Sequence, residues 1–176
     1  MTSSVEQLSP RAQEIVAAAR ELLEQEGSEG LSMRRIADRL GIRAPSLYKH
    51  LPDKQALEAA LISVGLEEAA ELFEAAVAGA GDPLAALAAA YRDFAIRHPH
   101  LYRLMTDRPL PRERLTPGVE ARAAQPVAEA VGGDQDVARA VWAFAHGMVI
   151  LELNGRFPPD ADLDAAWRRG LEGFGP

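Results

Sequence analysis

Apolar residues recur along this chain at three- and four-residue spacing, and alternating strand-like runs are missing, so helices and no sheet are expected. Ile15, Ala19, Leu22 and Leu23 form the first stripe. Its helix starts at Ser9 and Pro10, a capping hydroxyl followed by a proline whose missing N–H costs nothing there. Gly27 and Gly30 end it. Ser32 caps a second helix with Ile36, Ala37 and Leu40 inward, and Gly41 stops it as a left-handed residue. A third helix is expected over residues 44–50, closed by Pro52. After Asp53 a long helix begins with Leu57, Leu61 and Val64 and runs towards Gly79. Asp82 and Pro83 start another, with Leu84, Leu87, Tyr91, Phe94 and His98 on one side, and Pro99 breaks it. A short helix carries Leu101, Tyr102, Leu104 and Met105. The stretch DRPLPRERLTPG then reads as an exposed, mobile connection. Helices over about residues 117–131, 134–154 and 162–174 complete an all-α fold.

Two short helices joined by a glycine-containing turn of three or four residues have helix-turn-helix geometry. Residues 32–40, the turn Gly41-Ile42-Arg43 and residues 44–50 fit that plan. If Ile36, Ala37, Leu40, Ile42 and Leu47 lock the pair against the first helix, the opposite face presents Arg34, Arg43, Ser46, Tyr48, Lys49, His50 and Lys54. In such units the second helix enters the major groove, where side chains reach base edges. Charge sharpens this picture. Residues 1–31 carry two Arg and six Glu, whereas residues 32–54 carry six Lys/Arg and two Asp, including both lysines of the chain, Lys49 and Lys54. The remainder holds eleven Arg and eighteen acids. A basic island on an acidic body points to a local polyanion partner.

The rest of the composition mainly excludes. The absence of cysteine rules out disulfides and thiol chemistry. The polar first ten residues do not read as a secretory signal, and the longest apolar run, 140–151, is too short to span a bilayer. A cytoplasmic protein is expected. No nucleophile turn, paired catalytic carboxylates or phosphate-cradling glycine loop appears, and His98 and His100 straddle Pro99 in different directions. No catalytic residue, metal or cofactor is therefore expected.

The run GLSMRRIADRLGIRAPSLYKHLPDKQALEAAL resembles the DNA-binding region of the tetracycline-repressor (TetR) family of bacterial regulators. Farther along, VWAFAHGMVILELNGRF is similar to a C-terminal domain of that family carrying Trp, three residues, then His-Gly. The resemblance implies an unstructured N-terminus at residues 1–8, a DNA-binding domain at 9–54, and an effector-binding and dimerisation domain at 55–176. It implies that Arg34 reaches a base edge or phosphate and that Tyr48 and Lys54 hold phosphates. The positions varying with operator sequence match Arg43, Ala44, Pro45, Ser46, Lys49 and His50. Ala44 departs from members with a long polar side chain there, which leaves Arg34, Arg43 and Lys49 as the readers.

The C-terminal helices suggest two further roles. Val141, Phe144, Gly147, Met148 and Leu151, with Trp167, Gly170, Leu171 and Phe174, are the candidate dimer interface, because an all-round apolar helix needs cover on more than one side. In the family the two last helices pair into a four-helix interface. Tyr91, Phe94, Tyr102, Met105, Trp142 and His146 could line a pocket for a largely apolar small molecule. The expectation is a homodimeric, ligand-responsive regulator, a repressor on an inverted-repeat operator. An effector-independent DNA-binding protein, or an all-helical enzyme or carrier with an incidental basic patch, remains open from the residues alone.

Overall fold

The computed structural model describes residues 8–174. Among them, nine α-helices and one three-residue 3-10 turn form the regular structure, with no strand. The chain divides into two compact units. One takes the chain through Glu68 together with His98–Glu120, and the other takes Ala69–Arg97 and the residues from Ala121 onward. The first unit thus reaches beyond the 9–54 module. The N-terminus expected to be unstructured lies outside the described residues except for Leu8, whose carbonyl accepts a hydrogen bond from the Gln13 side chain at 3.1 Å.

In the first unit, α1 spans Pro10–Gly30, and the Ser9 hydroxyl accepts the Ala12 N–H at 3.3 Å. Gly27, at φ 73°, interrupts its helical backbone, as the two glycines there suggest. α2 spans Met33–Arg39, with the Ser32 hydroxyl accepting the Arg35 N–H. Gly41 takes φ 64°, and the Ile42 N–H returns to the Ala37 carbonyl at 3.0 Å, which closes the helix with a left-handed residue. α3 is shorter than expected. It spans Ala44–Leu47, then tightens into turns in which His50 and Leu51 both donate to the Leu47 carbonyl at 2.9 Å. Pro52 has no N–H to offer the next carbonyl, so the helix cannot extend.

α4 spans Lys54–Val77 and α6 spans Pro99–Thr106. Ile15, Leu23, Ile36, Leu47, Leu57, Leu61 and Leu101 are all essentially fully buried, and they form the core of this unit. α6 docks closely because Gly65 lacks a side chain: a Cβ there would stand 2.8 Å from both Leu101 Cδ2 and Met105 Sδ. The Leu101 N–H donates to the Glu24 carboxylate of α1 at 3.3 Å, tying α6 to a second helix.

The proline-rich connection is exposed but not loose, a correction to the sequence reading. The 3-10 turn Arg112–Arg114 lies within it. Arg114 pairs with Asp53 at 3.2 Å, the Thr116 N–H donates to the buried Ser63 hydroxyl at 3.0 Å, and Arg112 grips Glu120 through two nitrogens. Proline spacing marks turns but carries no information about such distant anchors.

In the second unit, α5 (Pro83–Arg97), α8 (Gln135–Leu153) and α9 (Leu163–Leu171) pack on one another and bury Leu87, Phe94, Val141, Ala145, Val149 and Trp167, and α7 (Val119–Ala130), begun in the first unit, also belongs here. Asp134 and Asp162 cap α8 and α9 through their carboxylates. Arg92 joins three helices. Its Nε and Nη2 hold both Glu152 oxygens at 2.8 and 2.7 Å, and its Nη1 reaches Asp164 at 2.6 Å. These bonds to Glu152, and then those to Asp164, raise the Arg92 pKa further above its ordinary value. Arg92→Met should strand the largely covered Glu152 carboxylate and cost about 1–2 kcal/mol. Calorimetry should then show a Tm about 2–8 °C lower. Arg92→Lys, lacking the planar fork, should recover only part of this. An unchanged Tm for the methionine variant would remove Arg92 as a brace.

Candidate nucleic-acid interface

The basic island separates into two sets. Arg35 and Arg39 turn back onto α1. Arg35 donates to the Glu26 carboxylate and the Gly30 carbonyl, and Arg39 to Glu21 at 2.7 Å and Gln25 at 3.2 Å. Arg34, Arg43, Lys49 and Lys54 are exposed. Arg34 only approaches Asp38, at 4.0 Å, and Lys54 lies 3.6 Å from Glu58. Arg43 and Lys49 make no ion pair among the described residues. Loose exposed pairs of this kind are worth little, so all four cations can turn to an external anion.

α2, the turn and α3 hold these groups in place because Ile36, Ala37 and Leu47 are buried beneath them. Tyr48 caps the end of α3 with 48% of its surface exposed, while its neighbour Leu47 is fully buried. About half of Tyr48 therefore stays open to an external partner. Pro45 and Ser46 are exposed, and Ala44 is half-buried at the start of α3. His50 is exposed but leans towards Ser9, its Nδ1 3.5 Å from the Ser9 hydroxyl that caps α1. The end of α3 thereby meets the start of α1.

Sequence reasoning missed Asp53 and Arg114. The Asp53 carboxylate accepts the Ala56 N–H at 2.6 Å and so caps α4, immediately before Lys54. That bond and the Arg114 guanidinium hold its carboxyl below the usual carboxylate range. An aspartate three residues before an amide donor is a readable cap signal. Arg114, sixty-one residues away, gave none.

The six pocket candidates do not share one unit. Tyr102 and Met105 belong to the first, where Tyr102 is buried and Met105 packs on Gly65. Tyr91, Phe94, Trp142 and His146 belong to the second. Tyr91 stacks on Phe73 with centroids 6.0 Å apart, and Phe94 is buried. Trp142 is 55% exposed and lies 6.1 Å from the His146 ring, so it is a surface residue of its unit.

The dimer candidates also divide. Ala138, Val141, Ala145 and Val149 form the inner stripe of α8, and Ala140, Ala143 and Leu151 are exposed on the opposite face, with Gly147 half-buried between them. A Cβ on Gly147 would meet nothing within 4 Å. Phe144, Met148, Leu171 and Phe174 are half-buried. Val141 and Trp167 are corrected to the protomer's own core, since both are buried there. Gly170 is half-buried: a Cβ there would collide with the Phe144 ring, and Phe144 packs edge-on against Trp167 at 5.5 Å. Its missing side chain admits an aromatic ring of the same chain.

A helix-turn-helix with outward cations, joined to an all-helical second unit, defines a DNA-binding regulator built on one helix-turn-helix per chain. Residues 15–61 match the bacterial regulatory proteins of the tetR family, and residues 84–174 match the tetracyclin repressor-like C-terminal domain. An uncharacterized HTH-type transcriptional regulator from Mycobacterium tuberculosis is 30% identical over 163 residues, covering 87% of this chain and 74% of that protein. The class C tetracycline repressor of Escherichia coli is 49% identical over 47 residues, 27% of this chain and 22% of its own length. Among solved structures, a protein of unknown function from Rhodococcus sp. RHA1 superposes with a TM-score of 0.79 at 27% identity, covering 94% of this chain and 93% of its own. The multidrug binding protein EbrR, crystallised with imidazole, gives 0.66 at 25% identity over 97% and 93%. The chain belongs to the tetR family of transcriptional regulators.

Because Gly170 accommodates the Phe144 ring, Gly170→Ala should overpack this cluster by about 1–3 kcal/mol. Thermal unfolding should show a clearly lower Tm, and an unchanged or raised Tm would mean that the ring moves aside freely.

Proposed function

We propose that the protein binds an inverted-repeat operator as a homodimer and represses transcription until a small, largely apolar effector releases it. Tyr48 and Lys54 hold phosphates, while Arg34, Arg43 and Lys49 read base edges, flanked by Ala44, Pro45, Ser46 and His50. The observation that carries this reading is the split within the basic island. Two arginines are spent on α1 carboxylates, whereas Arg34, Arg43, Lys49 and Lys54 remain exposed and at most loosely paired.

The partner is a second copy because α8 leaves Ala140, Ala143 and Leu151 uncovered around a side-chain-free Gly147. The family relation and the imidazole held by EbrR support a small-molecule effector, with Tyr91 and Phe94 of the second unit as the candidate lining. A cytoplasmic location fits a protein in which no described helix is long and apolar enough to cross a membrane.

Selection from a random duplex pool should recover an imperfect inverted repeat with half-site centres roughly 34–36 Å apart or somewhat more. Lys54→Gln and Tyr48→Phe should weaken all recovered sites alike, Lys54→Gln reducing the salt slope by about one. Arg34→Ala or Arg43→Ala should relax preference at particular base pairs, at about 1–3 kcal/mol each. Recovery of only single, asymmetric half-sites would refute the symmetric mode of binding.

Gly147→Leu adds a side chain where the protomer has open space, so each protomer should fold unchanged while the pairing of two copies is blocked. Sedimentation should show monomer at micromolar concentration, with operator affinity reduced in parallel. A variant that remains dimeric would move the interface away from this face.

A further inference from the structure

Arg114 lies outside the helix-turn-helix, in the connection between α6 and α7, yet its Nη1 reaches both Asp53 oxygens at 3.2 and 3.3 Å. Asp53 caps α4 through the Ala56 N–H, and Lys54 is the next residue. A carboxylate at that place would repel the same phosphate that Lys54 attracts. The guanidinium of Arg114 cancels that charge and holds the cap in one orientation. Two further contacts keep Arg114 from wandering. Two residues on, the Thr116 N–H is fixed to Ser63, a buried hydroxyl on α4, and two residues back Arg112 is paired with Glu120.

We propose that Arg114 is a positioning residue for DNA binding, which neutralises Asp53 beside the bound phosphate and aims Lys54 at it. This makes the 107–118 connection part of the DNA-binding apparatus. The proposal rests on the reading of Lys54 and Tyr48 as phosphate contacts. An exposed ion pair adds little to folding stability, so its effect should be visible in binding more than in melting.

The test measures anisotropy of the full chain on the duplex recovered by the wild-type protein, at several salt concentrations. Arg114→Gln should bind about three- to tenfold more weakly, with Tm and salt slope unchanged. Asp53→Asn keeps a capping oxygen but loses the charge, and it should bind at least as tightly as wild type. The double variant should return to within about twofold of wild type, because the charge that Arg114 masks is gone. Wild-type affinity for Arg114→Gln overturns the proposal, as does a fall confined to Tm. A loss that persists in the Asp53→Asn background, with a salt slope lower by about one, overturns it too, since Arg114 would then touch phosphate itself. Lys54→Gln and Tyr48→Phe run in parallel separate the two levels. If both bind as wild type does, the phosphate reading falls and the proposal with it. If they weaken binding and Arg114→Gln does not, only the proposal falls.

Discussion

Neither α2, with seven residues, nor α3, with four, is long enough to persist alone, because the cost of nucleating a helix is not repaid over so short a run. Each exists because the left-handed turn at Gly41 swings α3 back so that Ile36, Ala37 and Leu47 share one buried cluster against α1. That shared burial fixes the angle between the helices. It thereby fixes where every exposed side chain of the pair can point, and the surface chemistry follows from the packing beneath it.

Electrostatics then divides labour among like residues. Glutamates on α1 pair with two arginines of the basic island, and beyond residue 54 acids outnumber arginines by eighteen to eleven. The excess of acids elsewhere disfavours a duplex there, and the remaining cations of the island favour it. Specific reading requires such confinement, since base contacts made from a protein that could dock anywhere would carry no register.

Features ruled by neighbours in sequence were legible beforehand. Ser9, Ser32 and Gly41 act within four residues of themselves, and the helix boundaries they set agree with the structure to within a few residues. The helix-turn-helix and the all-α fold followed from those boundaries and from apolar spacing. Features set by distant neighbours were not legible. Gly147 and Gly170 look alike in sequence, yet one faces open space and the other admits Phe144 from a different helix. Trp142 and Trp167 both sit in apolar stripes, but only the second is covered within its own unit. The anchoring of the proline-rich connection depends on Asp53 and Ser63, more than fifty residues earlier, and no local pattern encodes such a pairing.

The scarcity of lysine has a chemical consequence. Lys49 and Lys54 carry the only side-chain amines of the chain, and both are exposed on the basic island. Acylation of lysine removes its positive charge, whereas the arginines that brace the rest of the molecule, Arg92 among them, do not react in this way. An acetyl donor would therefore remove two of the four exposed, at most loosely paired cations of the basic island and leave Arg34, Arg43 and the structural ion pairs charged. A duplex bound as proposed above would cover the two amines and shield them from the reagent.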